Sequence, residues 1–93
     1  MGSLWQALPG QRLRLRVWDD EGVVYNDLSG DTHLLGAPAL HLLAAIAASG
    51  ASETALSAAL RDAFDFDPEH DVAAERDTLL AELAHLHLIE RTA

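Results

Sequence analysis

The chain has 93 residues, 49% of them apolar, which bounds it to one domain with a single modest core and leaves no apolar run near the roughly 20 residues that cross a bilayer. Its formal net charge of -9 opposes binding to a nucleic-acid backbone or an anionic membrane surface, since both require cationic side chains against phosphate. Cysteine and lysine are both missing, which excludes disulfides, thiol catalysis, zinc–thiolate sites, Schiff-base chemistry and a P-loop lysine.

The opening Met1-Gly2-Ser3-Leu4-Trp5-Gln6 has no basic segment followed by an apolar one, so no secretory signal is expected and a cytoplasmic protein fits. Leu4 and Trp5 either fold back onto the core or make dimer contacts; the pattern leaves both open. Arg12-Leu13-Arg14-Leu15-Arg16-Val17-Trp18 then alternates strictly, with Leu13, Leu15 and Val17 on one face and Arg12, Arg14, Arg16 and Trp18 on the other. Such a period of two marks a half-buried strand. Asp19-Asp20-Glu21-Gly22 reads as a turn, with Gly22 supplying a positive φ. Val23 to Asn26 returns as a second strand, and a register of Trp18 against Val23 and Arg16 against Tyr25 is expected. After the polar run Asn26 to Asp31, Thr32 to Leu35 forms a brief third strand ended by Gly36-Ala37-Pro38.

From Ala37 the period becomes helical. Pro38 suits a first helical position, and Leu42, Leu43 and Ile46, widened by Ala39 and Ala47, form an apolar stripe. Gly50 is placed to end this helix and Ser52 to cap the next, whose Leu56, Leu60 and Phe64 lie four apart. Asp67 is expected to cap a third helix with Pro68 just inside it. Val72, Leu79, Leu80, Leu83 and Leu86 mark that helix's buried stripe, and Leu88-Ile89 closes the chain as an extended tail under the domain. The expected fold is α+β and winged-helix-like: a three-stranded antiparallel sheet followed by three helices, in one domain over 1–93 with its core at about 12–90.

The order of elements, the short leucine-ended strand Thr32-His33-Leu34-Leu35 before the first helix, the serine-led second helix Ser52-Glu53-Thr54-Ala55-Leu56 and the ending Leu83-Ala84-His85-Leu86-His87-Leu88-Ile89-Glu90 together resemble the PqqD-like peptide chaperones, the recognition elements of ribosomally made, modified peptides. The stretch Val24-Tyr25-Asn26 with Ser29-Gly30-Asp31-Thr32-His33-Leu34-Leu35 is most similar to the subgroup described with an HPr-kinase-related protein, the HPr-rel-A system. Two positions depart from the family pattern. His87 stands where glycine is frequent before the final leucine-isoleucine, and Gly36 stands where asparagine usually follows the third strand.

The resemblance implies a non-enzymatic peptide-binding adaptor without a cofactor. It would capture a precursor (leader) peptide as a strand added to the third strand and present it to a partner enzyme, here an HPr-kinase-related protein. By that analogy the acceptor edge is Asp31, Thr32, His33, Leu34 and Leu35. The facing helix wall is drawn from Arg76, Leu79, Leu80, Leu83 and His87. An edge strand has unpaired N–H and C=O groups that an incoming strand satisfies.

Other constellations favour plain structural roles. His33, His41, His70, His85 and His87 show no metal-ligand spacing, since His85 and His87 are two apart and point to different sides of a helix. His33 and Leu35 share one strand face, inward by the family pattern. The arginine row reads first as a solvated face paired with Asp19, Asp20, Glu21 or Asp31, and second as a receptor for an acidic partner, strengthened by Trp18 and Tyr25 beside it. The acidic run from Asp62 to Asp77 is solvating and helix-capping, and Ser29-Gly30 is a turn rather than a nucleophile elbow. The competing functional classes are a winged-helix nucleic-acid binder, which the charge disfavours, and a structural module that forms a homodimer.

Overall fold

The structure, a computed structural model, describes residues 4–92. In chain order the elements are β1 (Leu4–Ala7), β2 (Leu13–Trp18), β3 (Glu21–Asn26), β4 (Thr32–Gly36), α1 (Ala37–Ser49), β5 (Ala51–Ser52), α2 (Glu53–Ala63), α3 (Val72–His85) and β6 (Ile89–Thr92). The antiparallel sheet β2-β3-β4 followed by three helices is the expected α+β arrangement. A second antiparallel sheet, β5-β1-β6, is added to it. No helix among the described residues is long and apolar enough to cross a membrane.

One apolar cluster joins both sheets to the helices. Val24 and Leu35 enter it from β3 and β4, Leu40, Leu42, Leu43 and Ile46 from α1, Leu56 and Leu60 from α2, Leu80 and Leu83 from α3, and Trp5 and Ile89 from the second sheet. Helix α1 is central: it packs on β3, β4, β1, α2 and α3. Leu40 widens its buried surface beyond the expected stripe, whereas Ala47 is exposed.

Trp5 therefore folds back rather than standing free, with only 7% of its surface exposed. Its indole N–H donates to Glu53 Oε2 (3.3 Å), and Arg91 lies over its ring at 5.0 Å. Ile89 to Thr92 form β6, so the extended tail packed under the domain is a paired strand.

Three local expectations are corrected. The hairpin register is Arg16 opposite Val23, Arg14 opposite Tyr25 and Trp18 opposite Glu21. The chain reverses over Asp19-Asp20 alone, with Asp19 at φ 50, a left-handed conformation that aspartate tolerates. Gly22 is thereby drawn into β3 with no positive φ, and its need is spatial. A Cβ there would lie 2.6 Å from the Arg16 carbonyl oxygen and 2.7 Å from Leu40 Cδ1. The third helix begins at Val72, not at Pro68. Asp71 is the cap, accepting from the Ala74 N–H (3.1 Å), while Asp67 closes a separate turn by accepting from the Glu69 N–H (2.9 Å).

The remaining caps are as expected. Ser52 Oγ accepts from the Ala55 N–H (3.1 Å), and Gly50 ends α1 at φ 75. His87 takes φ 60 after α3; its N–H donates to Ala84 O (3.0 Å) and that of Leu88 to Leu83 O (3.1 Å). That bonding pattern is a Schellman motif, whose left-handed position glycine normally fills.

Strand β2 is not half-buried. Leu13 is partly covered, but Leu15 and Val17 are 40% and 59% exposed. The alternation assigns their face correctly, yet α1 lies over β3 and β4 and leaves β2 overhanging.

Candidate functional site

The bonding phase of the β3–β4 ladder decides what the edge offers. Asn26 N–H donates to Asp31 O (2.9 Å) at one end and Ala37 N–H donates to Asp20 O (2.8 Å) at the other. With the register Gly22–Leu35 and Val24–His33 between them, those are the hydrogen-bonded pairs of an antiparallel ladder. Asp31, His33 and Leu35 thus bond inward to β3. Thr32, Leu34 and Gly36 direct their N–H and C=O groups outward, on the side where the sheet order ends.

The loop before β4 holds that phase. Asn26 is buried, and its Oδ1 accepts from the N–H groups of Leu28 (2.9 Å) and Ser29 (3.4 Å). Gly30, at φ 79, donates its N–H to Asn26 O (2.8 Å), and Asp31 N–H donates to Ser29 Oγ (3.3 Å). The backbone N–H groups from Asn26 to Asp31 are all bonded, that of Asp27 to Arg12 O, so β4 enters in a fixed register without a fourth strand.

Side chains alternate around this edge. Leu35 is core and His33 is half-buried beside it on the inner face. Leu34 is 64% exposed on the outer face, next to Thr32, Val23 and Tyr25. Arg14, Arg16, Trp18, Val23, Tyr25 and Thr32 line a shallow hollow of about 600 Å³ on that outer face.

The helix residues named with this edge are placed differently from one another. Leu80 and Leu83 lie in the core, at 1% and 0% exposure, so their side chains have no surface to offer a ligand. Leu79 is half-buried. Arg76 is turned to α2: its Nη1 donates to Ser57 Oγ (2.8 Å) and to Glu53 O (3.3 Å), while Nη2 pairs with Asp77 (2.8 Å). His87 is exposed in the turn after α3, and its carbonyl accepts from Gln11 Nε2 (2.7 Å). The structure thus brings Asp31 to Leu35 together as an edge. Of the α3 set, Arg76 and Leu79 are half-buried and His87 is exposed.

Sequence reasoning missed a second strip. Leu15 and Val17, with Leu40, His41, Ala44 and Phe64, line a cleft of about 280 Å³ between β2 and the helices. Phe64 stands edge-on to the His41 ring at 5.8 Å. The available signal was the alternation of β2 itself, but alternation does not say how far a helix reaches across a sheet. Of the arginine row, Arg14 pairs with Asp27 (3.3 Å), not with the acids of the turn. Among the described residues Arg12 and Arg16 form no ion pair, and no three His, Asp or Glu residues cluster as metal ligands.

Comparison with protein families, with characterised proteins and with solved structures finds no match to this chain.

Proposed function

We propose that the protein is a non-enzymatic peptide-binding adaptor of the cytoplasm, taking an extended precursor segment as an added strand on β4 and presenting it to a modifying enzyme. The observation that carries this reading is the outward phase of Thr32 and Leu34 on a strand with no outer neighbour among the described residues. Their two N–H and two C=O groups can form four backbone bonds to an incoming strand, each contributing about 0.5–1.5 kcal/mol net. That total is offset by the entropy of ordering the peptide, so selectivity rests on side chains beside the exposed Leu34 and Tyr25. The resemblance to PqqD-like chaperones supports the same mode and suggests an HPr-kinase-related partner enzyme. By the same resemblance the facing helix wall would be drawn from Arg76, Leu79 and His87, since Leu80 and Leu83 are core.

The test is an NMR titration of the full chain with candidate precursor segments. Strand addition at β4 predicts shifts and slowed exchange of the Thr32 and Leu34 amides. Saturation that leaves 31–36 unchanged sinks the reading.

A further inference from the structure

The opposite edge of the same sheet offers different chemistry. Asp27 N–H donates to Arg12 O (2.9 Å), so the bonded pairs along β2 and β3 are Arg14–Tyr25, Arg16–Val23 and Trp18–Glu21. Leu13, Leu15 and Val17 therefore direct their backbone groups outward. On the inner face Leu15 and Val17 overhang the 280 Å³ cleft floored by Leu40 and Phe64. On the outer face Arg12, Arg14 and Arg16 stand in one row, half of the chain's six basic residues on a protein of net charge -9. Of these three only Arg14 has an acidic partner among the described residues, and its side chain remains 75% exposed.

We propose that β2 is a docking edge for an extended acidic segment of another protein, one that alternates carboxylate with apolar side chains. In a strand paired to β2, residues opposite Arg14 and Arg16 share the arginine face, and residues opposite Leu15 and Val17 share the cleft face. Carboxylates at the first set meet the guanidinium groups of Arg16, without an acidic partner among the described residues, and of Arg14, which pairs with Asp27 yet stays 75% exposed; their planar forks bind carboxylate in two-point fashion. Apolar side chains at the second set cover Leu15, Val17 and Phe64. A second copy of this chain fits poorly. Antiparallel pairing of two β2 strands about a twofold axis sets arginine row against arginine row, and like charges directly opposite destabilise a strand pair. The proposal concerns a different edge from β4 and does not rest on the reading of that edge.

The experiment uses the full chain and two short synthetic peptides, one alternating glutamate with leucine and one with lysine replacing each glutamate. The expected result is slowed amide exchange at Leu13, Leu15 and Val17 with the acidic peptide only. Its affinity should fall on the order of tenfold from low to high salt, and by a similar factor in an Arg14→Ala/Arg16→Ala variant of unchanged circular dichroism. The proposal is overturned by absence of binding of the acidic peptide, by equal binding of both peptides, or by protection confined to Thr32 and Leu34. Protection of the β2 amides in a dimer of the free chain also overturns it, since the occupant is then a second copy.

Discussion

His33 lies opposite Val24 as a hydrogen-bonded pair of the β3–β4 ladder, and this one register turns the neighbouring Leu34 amide to the open edge. Two adjacent proline substitutions separate the roles. His33→Pro removes an inward donor and leaves the Val24 carbonyl unpaired, so it should cost about 1–3 kcal/mol of stability. Leu34→Pro removes only an outward donor, a position where an edge strand tolerates proline, and should change stability by less than about 1 kcal/mol. If β4 accepts a peptide, Leu34→Pro nevertheless weakens binding. Urea unfolding measures the first difference and titration the second; equal stability losses in both variants would mean that Leu34 also bonds inward.

Gly22→Ala tests the close packing of α1 on β3. The new methyl group would meet a backbone carbonyl at 2.6 Å, which cannot rotate away, and Leu40 Cδ1 at 2.7 Å, which can. The backbone contact makes the change destabilising by about 1–3 kcal/mol. A midpoint shift without a change in denaturant slope is the expected signature. A neutral result would show that β2 and Leu40 can move aside for a methyl group, and that the close approach at position 22 does not require glycine.

Much of the fold is legible in local signals, and the gaps share a cause. Period-two alternation marks β2, and the 3.6-residue stripe with Ser52 and Gly50 marks α1 and α2, because those signals come from residues close in sequence. The sheet β5-β1-β6 is not legible, since Leu4–Ala7 pairs with Ile89–Thr92 at the far end of the chain and each strand has only four residues. Asp67 and Asp71 present the same cap chemistry four residues apart, and only the packing of Val72 in the core decides between them. At the candidate site, Thr32 to Leu35 is recognisable as a short strand. Which of its amides face outward follows from bonds to Asp20 and Asn26 that no local pattern contains. The analogy that named Leu80 and Leu83 as wall residues counted helical spacing correctly but could not see that α1 and α2 cover them.

His87→Gly should stabilise the protein. A non-glycine residue in the left-handed region is strained by about 1–2 kcal/mol, and His87 is exposed at φ 60. Glycine relieves that strain but gains freedom in the unfolded chain, leaving a net gain of about 0.5–1 kcal/mol. The carbonyl that accepts from Gln11 is retained, so the turn keeps its outside contact. Thermal unfolding is the direct check; a lower midpoint would show that the imidazole makes a stabilising contact outweighing the strain.

The two tryptophans sit one in each sheet, which allows the coupling of the sheets to be measured. Trp5 is buried in β1, held to Glu53 through its indole N–H and covered by Arg91, whereas Trp18 is 41% exposed on β2. Trp5→Phe retains an aromatic body but removes the N–H, and should cost about 1 kcal/mol. Trp5→Ala removes the body as well and should cost about 3–5 kcal/mol, a large share of the roughly 5–15 kcal/mol typical of a folded domain. In Trp5→Phe the remaining fluorescence comes from Trp18 alone, so it reports on β2 while circular dichroism reports mainly on the helices. Because Val24 of β3 and Ile89 of β6 belong to one apolar cluster with α1 between the sheets, both signals should lose structure at the same urea concentration, lower than in the parent chain. A Trp18 transition that keeps its parent midpoint while the helices melt earlier would instead make β2-β3-β4 a separately stable unit, and the shared core would not couple them.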